Sequence, residues 1–164
     1  MNKKIKIISV FQELDSINEL NKEDKKLLFE ANKAAELAYA PYSNYFVGAA
    51  LLLESGVIVK GNNQENVAFP SGLCAERVAV FYAGANYPNI KIKTIAITSK
   101  SKLFSVENPV SPCGGCRQVL AEYEARQKSD IRLILMGEKG KIHIIESVKT
   151  LLPLVFNENR LLKK

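Results

Sequence analysis

The spacing of apolar residues along the chain predicts an alternation of helices and strands. The pattern indicates helices over about 21–40, 74–83, 113–127 and 147–152. Asn21 can cap the first helix, and Pro41 ends it because proline cannot continue a helix. In the second helix, the residues expected to pack against the core are Val78, Ala79, Phe81 and Tyr82.

Between the helices, strand-like runs predict five strands, over 45–53, 57–60, 90–98, 131–136 and 141–145. Glu54-Ser55-Gly56 forms the turn of a hairpin between the first two. The run 131–136 is almost continuously apolar, as expected of a central strand that is buried on both faces. We therefore expect an α/β fold, a three-layer α/β/α sandwich around a five-stranded mixed sheet.

The domain organisation is simple. No internal repeat, low-complexity tract or Pro/Gly/Ser-rich linker divides the 164 residues, so we expect a single domain over 21–164. Residues 1–20 precede it as an N-terminal extension, in which the β-rich stretch 3–11 is predicted to add a strand.

The composition matches an ordinary globular protein. Of the residues, 47% are hydrophobic and 24% are charged, which excludes a disordered chain, a collagen and a coiled coil. No apolar run reaches the length of about eighteen residues that a bilayer requires, so no membrane partner is expected. The apolar stretch after the basic start soon reaches Glu13 and Asp15, so it does not predict a signal peptide. Three cysteines are too few for a disulfide framework, which indicates a cytoplasmic protein.

The net charge of +6 is unevenly distributed. The basic excess lies at the two ends of the chain, in Lys3, Lys4, Lys6, Arg160, Lys163 and Lys164. Without these residues the chain has 17 basic and 17 acidic side chains. A surface that binds the phosphates of a nucleic acid carries clustered basic residues, and the neutral body of this chain does not predict such a cluster. No nucleic-acid partner is therefore expected.

All three cysteines fall at predicted helix starts. Cys74 begins the stretch Cys-Ala-Glu-Arg, and Cys113 and Cys116 lie in the stretch Pro-Cys-Gly-Gly-Cys-Arg. A helix N-terminus stabilises thiolates, which are the metal-binding form of cysteine. Three thiolates would leave one tetrahedral position of Zn²⁺ open, as in catalytic zinc sites.

Two further residues of the stretch Cys-Ala-Glu-Arg are predicted to take part in the chemistry of the site. Glu76 follows a ligand by two residues, where its carboxylate can take a proton from a metal-activated water. Arg77 can donate hydrogen bonds to the thiolates and offset the net negative charge of the site.

Other interpretations of the cysteines stay open at this point. A redox pair would need only Cys113 and Cys116 and would leave Cys74 and Glu76 unexplained. A structural zinc site would need a fourth ligand, and the single histidine of the chain, His143, lies in a strand pattern in which an ordinary strand residue is expected.

Taken together, Cys-x-Glu followed by Pro-Cys-x-x-Cys is a deaminase signature. The chain resembles the cytidine deaminases, in their small homotetrameric, three-cysteine form, in the stretches 40–51, 63–66, 74–77, 112–118 and 151–156. The resemblance covers about 30–156 and leaves residues 1–20 unmatched.

The resemblance implies roles for particular residues. Cys74, Cys113 and Cys116 would bind one Zn²⁺ per chain, and Glu76 would shuttle protons. The residues implied to bind substrate are Asn63 and Glu65 at the ribose, the backbone N–H of Ala75 at the pyrimidine O2, Tyr45 beside the base and Phe156 stacked on the base from a neighbouring subunit. Tyr45 departs from the family, which usually has phenylalanine there.

The implied reaction is the hydrolytic deamination of cytidine and 2′-deoxycytidine to the uridine nucleosides and ammonia. This reaction is a step of pyrimidine salvage, and the resemblance implies that a cytoplasmic homotetramer carries it out.

Three alternatives remain: a nucleic-acid editing deaminase, a deaminase of a related nucleoside such as an aminoacylated cytosine antibiotic, and a non-catalytic zinc protein. The neutral body and the carboxylate of Glu65 argue against the first, and the ribose-binding pair makes the second less favoured. A carboxylate at position 76 without a fourth ligand argues against the third.

Overall fold

A computed structural model describes residues 2–157 of the chain. Its centre is a six-stranded mixed sheet with the order β1-β6-β5-β4-β2-β3. In chain order the strands are β1 Gln12–Leu14, β2 Tyr45–Leu53, β3 Ile58–Asn62, β4 Ile92–Ser101, β5 Arg132–Met136 and β6 Ile142–Ile145. β4 and β5 are parallel, and the other neighbouring pairs are antiparallel.

Three α-helices flank the sheet: α1 Lys22–Glu36, α2 Ala75–Asn86 and α3 Gly114–Gln127. Asn21 caps α1 as predicted, because its side chain accepts a hydrogen bond from the backbone N–H of Asp24. The helix ends four residues earlier than the predicted limit at residue 40. The last predicted helix is a short 3₁₀ turn, Val148–Leu151. None of the helices in the described part of the chain is long and apolar enough to cross a membrane.

The strand alternation of β2 divides the core into two layers. Ala50 and Leu52 pack on the α1 side of the sheet, and Leu51 and Leu53 pack on the side of α2 and α3. Structure and sequence pattern therefore agree on a three-layer α/β/α sandwich.

The sheet has one strand more than predicted. The additional strand is β1, which pairs with β6 from Gln12 to Leu14, so the prediction of a strand over 3–11 is wrong in position. β6 is only four residues long, so it can pair with only a short strand. Leu14 is the residue of β1 whose side chain is buried in the core. The Glu13 carboxylate contacts His143 at 3.0 Å, so the histidine is an ordinary strand residue on this edge.

Two of the packing residues predicted for α2 are exposed. Ala79 is buried as expected, but Phe81 and Tyr82 are 44% and 54% exposed. Val80 and Ala83 already fill the contact between α2 and the sheet. The apolar face of α2 is wider than this contact, so Phe81 and Tyr82 remain exposed.

α2 packs unusually close to β3. A Cβ at Gly61 would lie 2.5 Å from the carbonyl oxygen of Ala75 and 2.5 Å from the N atom of Ala79. Only a residue without a side chain permits this contact, so the first turn of α2 rests directly on the sheet. This contact fixes the place of the residues at the start of α2.

Candidate metal centre and substrate cavity

The three cysteines converge at the N-termini of two helices. Cys74 is the N-cap of α2, Cys113 is the N-cap of α3, and Cys116 lies in the first turn of α3. The sulfur of Cys113 is 3.7 Å from that of Cys74 and 3.5 Å from that of Cys116. All three sulfurs lie within 4.8 Å of one another.

These distances suit one tetrahedral zinc ion. Zinc–sulfur bonds of about 2.3 Å place two sulfurs of a tetrahedral site about 3.8 Å apart. Neither N-cap cysteine uses its side chain to cap its helix, so both sulfurs are available as ligands. The described residues supply three ligands and no fourth within this cluster, which leaves one position open.

Arg77 supplies positive charge to the thiolates. Its Nη2 lies 3.8 Å from the sulfur of Cys74 and 3.5 Å from the carbonyl oxygen of Gly72. A hydrogen bond from Cys116 and the Arg77 guanidinium lower the pKa of the Cys74 thiol to about 5, against the opposing effect of burial. Cys74 is therefore the cysteine that favours the thiolate, whereas the hydrogen bond with Cys74 and burial raise the pKa of the Cys116 thiol.

Glu76 occupies the second position of α2 and is only 4% exposed. Burial raises the pKa of its carboxyl, and the negative charge of Cys74 adds to the effect. A carboxyl with a raised pKa holds a proton more readily than an ordinary glutamate, which suits a group that must both accept and return a proton. The structure thus brings the predicted proton shuttle next to the predicted ligands.

A cavity of about 800 Å³ opens beside the cysteines. It is large enough for a nucleoside. Besides Cys74 and Cys113, five predicted site residues line it: Tyr45, Asn63, Glu65, Glu76 and Arg77. Its other lining residues include Tyr42, Ser43, Val47, Phe69, Leu73, Ile97, Val110 and Ser111.

Asn63 bridges two backbone groups of β2. Its Oδ1 accepts from the N–H of Val47 at 2.8 Å, and its Nδ2 donates to the carbonyl oxygen of Tyr45 at 2.9 Å. One N–H of the amide remains for a ligand.

Glu65 is held by the turn that precedes β2. One carboxylate oxygen accepts from the backbone N–H groups of Tyr42 and Ser43, and the other accepts from the Ser43 hydroxyl. Burial opposes ionisation, but the hydrogen bonds from Ser43 and Tyr42 prevail and lower the pKa of this carboxyl. Glu65 is therefore an ionised acceptor at the mouth of the cavity.

The hydroxyl of Tyr45 has a partner. It lies 2.9 Å from the hydroxyl of Ser99, which is buried on β4. The extra oxygen relative to phenylalanine is thus satisfied within the protein, and the aromatic ring is free to line the cavity.

Two predicted substrate residues do not line this cavity. Ala75 is fully buried, but its backbone N–H belongs to the first turn of α2, where helical N–H groups have no intrahelical partner. Phe156 is 74% exposed and lies outside the cavity of its own chain.

Sequence patterns missed several residues of the site. Phe69 lines the cavity from a short 3₁₀ turn, and Val110 and Ser111 line it from an irregular segment, where no periodicity marks them. Ser99 lies in the middle of an apolar strand, and only its pairing opposite Val47 on β2 brings it near Tyr45.

The family model described as the cytidine and deoxycytidylate deaminase zinc-binding region matches residues 21–129. The chain belongs to this deaminase family. The match includes all three cysteines, and together with their clustering it confirms zinc, one ion per chain, as the cofactor.

Relatives in the family cover most of the chain. It is 42% identical to a cytidine deaminase of Sporosarcina psychrophila over 137 residues, which is 84% of this chain and 93% of the relative. It is 40% identical to a cytidine deaminase of Halalkalibacterium halodurans over 134 residues, which is 81% of this chain and 94% of the relative.

The family fold is also confirmed by a solved structure. The cytidine deaminase from Burkholderia pseudomallei aligns with a TM-score of 0.69 and 35% identity, over 84% of this chain and all of that one. The additional edge strand β1 does not alter the shared architecture.

Proposed function

We propose that this deaminase hydrolyses the C4 amino group of cytidine and 2′-deoxycytidine, which yields uridine or 2′-deoxyuridine and ammonia. The observation that carries the proposal is the buried Glu76 carboxyl beside three clustered cysteine sulfurs, at the wall of a nucleoside-sized cavity. The cytidine deaminases of 40–42% identity support the substrate class. We place the reaction in cytoplasmic pyrimidine salvage.

Cys74, Cys113 and Cys116 hold the zinc ion in this proposal. The bound zinc supplies a Lewis acid that makes a water molecule acidic enough to lose a proton near neutral pH. Arg77 offsets the charge of three thiolates, of which it contacts Cys74.

Glu76 moves two protons. Its carboxylate takes a proton from the attacking water and delivers it to N3 of the pyrimidine, which makes C4 electrophilic. After the oxygen has added to C4, the same carboxylate takes the remaining proton from that oxygen and delivers it to the amino group, so that the C4–N bond breaks, the C4 carbonyl forms and ammonia leaves. The raised pKa of Glu76 suits both directions of transfer.

The sugar and the carbonyl edge of the base are held by polar groups on three segments. The free N–H of Asn63 and the ionised carboxylate of Glu65 bind the ribose, chiefly its 3′-hydroxyl. The N–H of Ala75 donates to the pyrimidine O2 from the first turn of α2. A 3′-phosphate would meet the negative charge of Glu65, so this site favours a free nucleoside over a nucleic-acid strand.

Aromatic contacts complete the site. Tyr45 faces the base from the cavity wall, supported by Ser99. Phe156 stacks on the base in the cavity of a second subunit, because its ring is exposed and lies outside its own cavity.

We infer a homotetramer. Large apolar side chains are exposed on α1, on α2 and on the segment between β3 and α2, namely Phe29, Phe69, Phe81 and Tyr82, with exposed fractions of 44–74%. Apolar surface on this scale is typical of a protein that buries it against other subunits.

The test is a spectrophotometric assay of cytidine, with parallel measurement of ammonia, on zinc-loaded and chelator-treated protein. We expect turnover only in the loaded sample. A substrate panel adds 2′-deoxycytidine, the 5′-monophosphate, an aminoacylated cytosine nucleoside and a single-stranded oligonucleotide. Faster turnover of any of the last three than of the two free nucleosides would contradict the substrate assignment.

A further inference from the structure

Helix α3 carries two glutamines that make the same contact. Gln127 accepts from the N–H of Ile92 and donates to its carbonyl oxygen, both at 3.0 Å. Gln118 accepts from the N–H of Phe156 at 3.2 Å and donates to its carbonyl oxygen at 2.9 Å. Each side chain therefore holds both backbone groups of one residue, as a neighbouring strand would.

The two held residues differ in what their side chains do. Ile92 is 2% exposed and begins β4, so its attachment serves the core of the subunit. Phe156 is 74% exposed, and its ring gains little from packing in its own subunit. Val155 beside it packs against the core, but the Phe156 ring adds little to that packing, so the two hydrogen bonds at Phe156 also order a ring that faces solvent in its own subunit.

The segment that leads to Phe156 is attached to α3 at further points. Glu124 accepts from the N–H of Val148 at 2.8 Å, and Arg117 donates to the carbonyl oxygen of Leu151 at 3.0 Å. Gln118 is the last attachment before the ring and lies two residues after Cys116. These hydrogen bonds fix the position of the Phe156 backbone relative to α3, the helix whose start carries two of the three cysteines.

We propose that Gln118 is a positioning residue, which fixes the backbone of Phe156 so that the ring enters the substrate cavity of a second copy of the chain. The inference rests on the proposed function, in which Phe156 stacks on the base of a neighbouring subunit. It adds that Gln118 holds the Phe156 ring in place and thereby affects how tightly the substrate binds.

The physical effect is on binding. A ring on a loosely held segment must be ordered each time a substrate arrives, and this loss of freedom weakens the complex. The two hydrogen bonds of Gln118 remove that loss in advance. Since Phe156 touches the base and no reacting group, its misplacement raises KM and leaves kcat close to its original value.

The experiment compares Gln118→Leu with Gln127→Leu, a control on the same helix that loses the same pair of contacts and, in addition, a hydrogen bond to the carbonyl oxygen of Ser129 at 3.1 Å. For cytidine we expect Gln118→Leu to raise KM about three- to thirtyfold with kcat changed less than about twofold. We expect Gln127→Leu to lower the Tm without a change in KM. Equal KM effects from the two variants would overturn the proposal, because they would report general loosening of the fold.

A double-mutant cycle isolates the route through the ring. Gln118→Leu is introduced into the wild type and into Phe156→Ala, and KM is measured for each. If Gln118 acts through Phe156, its substitution adds no further increase in KM in the Phe156→Ala background. A full additional increase in that background would overturn the proposal.

Mixed oligomers test whether Phe156 of one subunit acts in the substrate cavity of another. Subunits with Glu76→Gln and subunits with Gln118→Leu are combined, so that intact Glu76 carboxyls receive a Phe156 that is held by an intact Gln118. We expect a fraction of the sites to recover the wild-type KM, and unchanged kinetics in oligomers shown to be mixed would overturn the proposal. Turnover of cytidine by the wild type tests the proposed function separately, so failure of that function is distinguishable from failure of this inference.

Discussion

The side-chain amide of Asn63 donates to the carbonyl oxygen of Tyr45 at 2.9 Å, while its oxygen accepts from the N–H of Val47. The residue proposed to bind the sugar therefore also holds the strand that carries the residue proposed to face the base. In the proposed complex, one side chain therefore links the residues at the two ends of the nucleoside.

Substitution of Asn63 by alanine should affect both stability and binding. The variant leaves the N–H of Val47 and the carbonyl of Tyr45 without their partner, so we expect a loss of about 1–3 kcal/mol in the free energy of unfolding. The KM for cytidine should rise at least about tenfold. Denaturant unfolding and steady-state kinetics measure the two effects.

Asn63→Asp refines this test. Aspartate keeps an acceptor for Val47 but has no donor for Tyr45, and its charge lies near Glu65 at the sugar. We expect a smaller loss of stability than in the alanine variant and a KM at least as high. If the aspartate variant had the wild-type KM, the proposed donation from Asn63 to the ribose would be wrong.

Replacement of Glu76 by glutamine should abolish proton transfer while it preserves the shape of the site. We expect kcat to fall by about 10²–10⁴ with about one zinc per chain still bound. Glu122→Gln is the matched control, because Glu122 is an exposed carboxylate on α3 away from the cavity. Assay of both variants together with metal analysis gives the answer, and near-normal turnover by zinc-loaded Glu76→Gln would contradict the role of Glu76.

Arg77→Gln should shift the pH at which the protein retains zinc. Arg77 lowers the pKa of Cys74, so its removal raises that pKa and lets protons compete with the metal at higher pH. The midpoint of zinc release on acidification should therefore move upward in pH. A metal-indicator titration measures this midpoint, with Arg126→Gln as a control on the exposed side of α3. A midpoint unchanged from wild type would mean that Arg77 does not stabilise the thiolates.

Removal of residues 2–11 should leave catalysis intact. Ile5, Ile8 and Val10 are 69–80% exposed, so they contribute little to the core, whereas Leu14 in β1 is retained. We expect kcat and KM within about twofold of wild type and a small decrease in Tm from loss of the contact between Ser9 and Thr150. A large loss of activity in a folded, zinc-loaded variant would show that residues 2–11 take part in the site.

Local patterns in the sequence suffice for much of this fold and site. Asn21 caps α1 as predicted, because a helix cap depends on residues three positions apart. The cysteines were placed at helix starts for the same reason: their positions follow from short motifs.

Features that depend on distant residues escaped prediction. The exposure of Phe81 is set by how much of α2 the sheet covers, and periodicity reports only that a face is apolar. The place of β1 depends on its pairing with β6, which lies over a hundred residues away in the sequence. The pairing of Tyr45 with Ser99 needs the register of β2 and β4.

The contact between Gly61 and the first turn of α2 has a consequence for protein engineering. Because the backbone of β3 meets the backbone of α2 there, the height of Glu76 above the sheet is limited by a contact in which Gly61 has no side chain that could shift. Val80 and Ala83, further along the helix, are held by side-chain packing, so substitutions there act first on the core. Gly61→Ala, by contrast, would lift the start of the helix with its Cys74 and Glu76, although it changes a residue that never touches substrate.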